Sequence, residues 1–340
     1  MYTLKNIKVL VIDDSLLFRE MLVKVLSSDS QIEVIAVASD PFEARDKIIE
    51  TVPDVIICDV EMPKMNGIDF LRWLLPRHFF PVIMVSTINS AVFEAMGAGA
   101  VDFVEKPGVQ SKDNERFAAD LIQKIKAAAA VKSPPAKLAA ASVKVSGNML
   151  NNTERIIAIG ASTGGTEAIF SILKSLPSGI PGIVIVQHIP PIFSRMFAER
   201  MNNQTDLHVK EAEIGDYVEE GKVLIAPGDR HMKIRKIGKR YKVECVQGDK
   251  VSGHCPSVDV LFESVAKEAG NSAIGILLTG MGHDGAKGLL SIRSKGGRTI
   301  GQDEASSIVY GMPKVAFDIG GVEMQASLEN IPQVLINLLG

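Results

Sequence analysis

Residues 155–176 read RIIAIGASTGGTEAIFSILKSL. Ile156–Ile159 is a short apolar, β-branched run of strand type, and TEAIFSILKSL has the spacing of an amphipathic helix. Between them stand Gly160, Ala161, Ser162, Thr163, Gly164 and Gly165, a stretch that lets the backbone turn sharply. Strand, tight turn and helix in succession form the unit from which open parallel sheets are built. The turn also fits G-x-S-x-G, which holds a serine hydroxyl exposed above the end of a strand. The free N–H groups and positive dipole of the following helix can stabilise an oxyanion. Two other readings stand beside this one. Ser162 or Thr163 can simply cap the helix. The glycines can instead cradle a nucleotide phosphate, although the spacing is not G-x-G-x-x-G and no Lys-Ser/Thr pair follows as in a P-loop.

The same alternation extends in both directions. Downstream, Ile183–Val186, Val223–Ala226, Ile274–Leu278 and Arg298–Gly301 read as strands, with helices over Phe193–Met201, Val258–Glu268 and Gly285–Lys295. Between about His208 and Cys255, pieces such as Lys233–Ile237 and Tyr241–Cys245 predict an antiparallel excursion. Upstream, Ile7–Ile12, Ile32–Val37, Val55–Cys58, Val82–Val85 and Asp102–Val104 read as strands. Helices are expected over Leu16–Leu26, Pro41–Ile49, Gly67–Leu75 and Ala91–Met96. The two halves are separated by AAAAVKSPPAKLAAASVKVSGNMLNN (127–152), a stretch rich in Ala, Ser and Lys that lacks a sustained core pattern. The expected organisation is a domain over 1–126, a linker over 127–153 and a second domain over 154–340. The fold class is α/β, with two doubly wound parallel-sheet domains and a small antiparallel β excursion in the second.

Composition narrows the function. The 340 residues are 46% hydrophobic and carry a formal net charge of −3, so neither a disordered chain nor a strongly basic, nucleic-acid-binding surface is expected. The three cysteines, Cys58, Cys245 and Cys255, are too few and scattered for a disulfide framework or a cysteine-rich metal site. No apolar run reaches the ~18 residues of a membrane helix, and MYTLKNIKVL lacks the features of a signal peptide. The expectation is a cytoplasmic protein without membrane insertion.

In the first half, strand ends gather charge at one sheet edge. Asp13 and Asp14 follow the first strand, Asp59 the third, Ser86 the fourth and Lys106 the fifth. Carboxylates at that density require a cation, and Mg²⁺ suits a site that keeps waters and phosphate oxygens as further ligands. Asp59 is the candidate phosphoryl acceptor. Asp14, with Asp13 and Asp59, is expected to hold Mg²⁺. Lys106 is expected to neutralise phosphate oxygens, and Ser86 to report the modification. Each aspartate taken singly also suits a helix cap.

A serine nucleophile needs a base. His188 ends the strand GIVIVQ, whereas His208, His231 and His254 fall in the β excursion, where surface or structural roles are expected, and His78 lies in the first half. Asp284, within TGMGHDG (279–285), is well placed to orient a histidine, ahead of Asp216, Asp229, Asp259 and Asp303. Ser162, His188 and Asp284 then form a nucleophile–base–acid set. The order Ser–His–Asp departs from that of the α/β-hydrolases. His283 and Asp284 lack the spacing of a metal motif.

VLVIDDS, VIICDVEMPKMNG and FVEKP resemble, in order, the receiver domain of two-component response regulators. The resemblance implies a flavodoxin-like receiver phosphorylated on Asp59 by a sensor histidine kinase with Mg²⁺. IGASTGGTEA, IVIVQHIPP, LIAPGDRHM, PSVDVLFESVA, LLTGMGHDGAKGL and YGMPKVA resemble the effector domain of chemotaxis protein-glutamate methylesterases. This implies a Rossmann-like esterase domain with Ser162 as nucleophile, His188 as base, Asp284 as orienting acid and the Met281 backbone N–H as an oxyanion donor. It further implies methylated chemoreceptors as substrates, deamidation of receptor glutamines as a second activity, and no cofactor for the ester chemistry. The chain departs from the family pattern at His283, where Asn is usual, and at Cys255, where Arg is common. The alternative is a non-enzymatic response regulator whose C-terminal domain binds a partner; a nucleotide-binding effector is a third reading.

Overall fold

The computed structural model describes residues 6–87, 91–107, 111–131 and 154–339. Most of the expected linker, residues 132–153, lies outside the described residues. The chain divides into two compact units, Met1–Pro135 and Ala136–Gly340.

The first unit runs β1 (Ile7–Ile12), α1 (Leu16–Leu26), β2 (Ile32–Ala38), α2 (Pro41–Thr51), β3 (Val55–Asp59), α3 (Gly67–Leu74), β4 (Val82–Ser86), α4 (Ala91–Gly97), β5 (Asp102–Glu105) and α5 (Ser111–Ala128). Its sheet has the order β2-β1-β3-β4-β5 and every pair is parallel. The order reverses between β1 and β3, which is where such sheets open a crevice at their carboxyl ends. Strands β3 and β4 are buried throughout, hence their unbroken apolar runs. Side chains in the following turns set the helix starts. Ser15 accepts from the Phe18 N–H, and Asp40 accepts from Phe42 and Glu43 with Pro41 in the first turn. Helix α5 has no counterpart in the sequence reading, and Ala127 and Ala128, expected to open the linker, are buried in its last turn. Alanine favours helix intrinsically, so a shift in composition is a poor marker of a helix end.

The second unit contains β6 (Ile156–Ala161), α6 (Gly165–Ser175), β7 (Ile183–Gln187), α7 (Pro191–Gln204), β8 (His208–Glu211), β9 (Tyr217–Val218) and β10 (Lys222–Ile225). It continues through β11 (His231–Ile237), β12 (Arg240–Val246), α8 (Val258–Ala269), β13 (Ala273–Leu277), α9 (Ala286–Ser294), β14 (Arg298–Gln302), α10 (Met312–Asp318), β15 (Met324–Ala326) and α11 (Ile331–Leu339). A parallel sheet of order β15-β14-β13-β6-β7-β10-β8 forms the centre. From β6 the chain winds outward through β7, then crosses back to β13 and winds the other way. The crevice therefore opens around the carboxyl ends of β13, β6 and β7.

The antiparallel excursion is a separate sheet, β11-β12-β9. Its alternating inner residues Met232, Ile234, Tyr241, Val243 and Cys245 join the core formed by the β6 and β7 side chains and by Leu261, Phe262 and Val265 of α8. One part of the expected excursion belongs elsewhere. His208–Glu211 pairs parallel with β10 and closes the edge of the main sheet. The crossover through α7 returns the chain in the same direction, as a β-α-β connection does. Among the described residues, no helix is long and apolar enough to cross a membrane.

Candidate active site and phosphorylation pocket

In the first unit, Asp13 follows β1, and Asp59 closes β3. Both are buried, while Asp14 is exposed at the rim of a pocket that also includes Asp59, Glu61, Asn66 and Lys106. The carboxylates of Asp13, Asp14 and Asp59 present oxygens within 4.8 Å of one another. Lys106 Nζ lies 2.5 Å from Asp59 Oδ2 and 2.8 Å from Asp13 Oδ2, and above the Phe18 ring at 4.7 Å. Burial disfavours the Lys106 charge, but the two carboxylates outweigh it and raise its pKa. Burial also pushes the Asp59 carboxyl up to about 6, against the pull of Lys106 and with Asp13 adding to the rise. Three carboxylates facing one ammonium leave excess negative charge, so the donor set fits a hard divalent cation. Ser86 is fully buried at the end of β4, its Oγ without a hydrogen-bond partner among the described residues. The Cys58 thiol is buried and its pKa raised by that burial and by Asp59, which leaves it an inert core side chain.

In the second unit, the serine turn is fixed through its backbone. Ser162 N–H donates to Thr279 O at 3.0 Å, and Ser162 O accepts from the Gly165 N–H at 2.7 Å and Gln187 Nε2 at 2.9 Å. Gly164 occupies the left-handed region with φ 77° and starts α6 without any side-chain cap bond. Neither Ser162 nor Thr163 is the cap of that helix, and the half-buried Ser162 hydroxyl is left for other work. A Cβ on Gly280 would lie 2.7 Å from Ser162 Cβ, so only glycine lets the loop after β13 approach the serine this closely. That loop is pinned by Gly280, whose N–H donates to Val309 O and whose carbonyl accepts from the Met312 N–H. The Met281 N–H that follows has no acceptor among the described residues.

His188 lies one residue beyond β7, its N–H bonded to Ala161 O at 3.2 Å. Its ring Nε2 is 2.9 Å from Asp284 Oδ2, and the two side chains are 7% and 0% exposed. A carboxylate oxygen only accepts, so this bond places the proton on Nε2. Nδ1 is buried with no partner among the described residues.

Asp284 is held by α8. Its Oδ1 accepts from Ser257 Oγ at 2.8 Å and from the Asp259 N–H at 3.0 Å, and its Oδ2 accepts from the Val258 N–H at 2.8 Å. Burial raises the Asp284 pKa, but the His188 bond and the α8 backbone donors outweigh it and hold the group ionised below the usual carboxylate range.

The structure thus joins His188 to Asp284 and sets the loop carrying Met281 against Ser162. Of the other acids considered, Asp216 pairs with Lys210 and Lys222. Asp259 accepts from Ser252 Oγ and the Gly288 N–H, Asp303 from the Ser306 hydroxyl and N–H, and Asp229 sits in an exposed turn. His283 is exposed. His231 is structural, bonded to Asp249 O and accepting from the Ser257 N–H. The sequence reading missed Ser257, Gln187 and His254. A serine ahead of the apolar run of α8 is a recognisable cap signal; nothing in the sequence marks His254 as a neighbour of His188.

The family model for the CheB methylesterase matches residues 157–335, and that for the response regulator receiver domain matches residues 9–115. A protein-glutamate methylesterase/protein-glutamine glutaminase of Syntrophomonas wolfei is 51% identical over 337 residues, covering 99% of this chain and 98% of that protein. The Salmonella typhimurium protein of the same name is 43% identical over 338 residues, covering 98% and 97%. The Thermotoga maritima CheB methylesterase catalytic domain superposes with a TM-score of 0.53 at 37% identity, covering 54% of this chain and 98% of that domain. The chain belongs to the CheB methylesterase family and carries a response regulator receiver domain at its N-terminal end.

Proposed function

We propose that this protein hydrolyses glutamate methyl esters on chemoreceptors in the cytoplasm, releasing methanol, and deamidates receptor glutamines at the same site. The observation that carries the reading is the His188–Asp284 pair, anchored on the α8 N-terminus at the switch point of the sheet where Ser162 turns out of β6. Ser162 Oγ attacks the ester carbonyl as His188 Nδ1 takes its proton. The Met281 N–H and the start of α6 face the oxyanion. The imidazolium then protonates the departing methoxide, leaving a glutamyl-serine ester. Water, deprotonated by His188, attacks that ester and frees the glutamate and Ser162. With an amide substrate, ammonia leaves in place of methanol. Asp284 keeps the proton on Nε2 and balances the imidazolium charge.

In the receiver, a sensor kinase phosphorylates Asp59 and so raises esterase activity. Asp13, Asp14 and Asp59 would hold Mg²⁺, which neutralises the charge of the phosphoryl oxygens and carboxylates when bound. Lys106 receives one phosphoryl oxygen and Ser86 Oγ another.

A small-molecule phosphodonor with Mg²⁺ is expected to accelerate methanol release from methylated receptor membranes, and Asp59→Asn to remove that acceleration. Equal stimulation of the Asp59→Asn protein would place the switch elsewhere.

A further inference from the structure

We propose that His254 is a positioning residue for the ester reaction, a planar wall that holds the His188 imidazole in the plane needed for proton transfer. The inference rests on the Ser162–His188–Asp284 reading and deepens it. The two rings lie face to face, with centroids 3.7 Å apart and planes inclined by 8°. The bond from His188 Nε2 to Asp284 fixes one edge of the ring but leaves it free to tilt about that bond. A flat neighbour at van der Waals distance removes the remaining freedom, and effective proton transfer depends on such alignment.

His254 is itself built into place. Val251 and His254 exchange two backbone hydrogen bonds of 3.0 Å across the turn Ser252-Gly253. Both turn residues have positive φ, 52° at Ser252 and 85° at Gly253. The strained serine is held from two sides. Its Oγ donates to Asp259 Oδ2 at 2.9 Å, and its carbonyl accepts from His254 Nδ1 at 3.0 Å. Asp259 in turn accepts the Gly288 N–H at 2.8 Å. The face of His188 and its Asp284 edge are therefore both referenced to α8 and α9.

Burial and the adjacent His188 push the His254 pKa down to about 4, with Asp284 working the other way. At neutral pH the wall is uncharged, so it places no second positive charge beside the imidazolium.

A metal site is the competing reading, because His188, His254 and Asp284 present donor atoms within 4.8 Å of one another. Imidazole lone pairs lie in the ring plane, and those of two nearly parallel stacked rings do not converge. Both Asp284 oxygens are also already bonded to donors.

The test compares His254→Ala, His254→Leu and His254→Phe in the full chain, reading kcat and KM on methylated receptor membranes. Ser162→Ala and His188→Ala serve as controls. Removing the planar face is expected to lower kcat by about 10²-fold with KM little changed, for Ala and Leu alike. Phenylalanine, which keeps the face but no nitrogen, is expected to restore kcat to within about fivefold of wild type. Leucine fills the space should alanine fail to fold. Unchanged kcat in the Leu variant, or a Phe variant as slow as Leu, would overturn the proposal. If Ser162→Ala and His188→Ala stay active, the triad reading fails instead.

Discussion

Ser162→Ala is expected to slow methanol release by about 10⁵–10⁶-fold while leaving thermal stability within about 0.5 kcal/mol of wild type. The two halves of this expectation have separate physical causes. In the proposed mechanism the hydroxyl is the nucleophile, and removing a triad nucleophile leaves only what binding and oxyanion donors supply. The fold does not depend on it, because the turn is held by the Ser162 backbone and α6 begins at Gly164 without a side-chain cap. Methanol release and thermal unfolding of one preparation read both halves. A folded variant with full release would show that a group other than Ser162 is the nucleophile. A large fall in stability would mean that the hydroxyl carries a structural bond.

Asp284→Asn is expected to lose about 10⁴-fold in kcat and, unlike the serine variant, to destabilise the catalytic unit by about 1–3 kcal/mol. In the wild type, four donors converge on a buried carboxylate: His188 Nε2, Ser257 Oγ and the N–H groups of Val258 and Asp259. An asparagine has one acceptor oxygen and brings an NH₂ group among those donors. Either His188 loses the partner that sets its tautomer, or the start of α8 is left with unsatisfied N–H groups. Thermal or urea unfolding alongside kcat measures both. Loss of activity with unchanged stability would separate the two roles and show that α8 is capped without this carboxylate.

Much of this arrangement could be read from residue order. The β/α alternation gives every strand of the two main sheets except β8 and β15, and it sets Asp13, Asp59, Lys106, Ser162 and His188 at strand ends. The reading failed where local pattern carries little information. His208–Glu211 contains one buried apolar residue, Val209, and its parallel pairing depends on where α7 delivers the chain. Residues 127 and 128 have the composition of a linker and the burial of a helix. His254 looked like one more histidine of the β excursion. Its place against His188 follows from a two-residue turn and from Asp259 on a neighbouring helix, a contact between distant segments that no local spacing encodes.

The most direct measurement of the central claim is the fate of Ser162 under a serine-directed covalent reagent such as a sulfonyl fluoride, mapped by peptide mass. An activated nucleophile predicts labelling at Ser162, loss of methanol release in proportion to the label, and no labelling in the His188→Ala protein. Full methanol release from protein labelled completely at Ser162 would contradict the account.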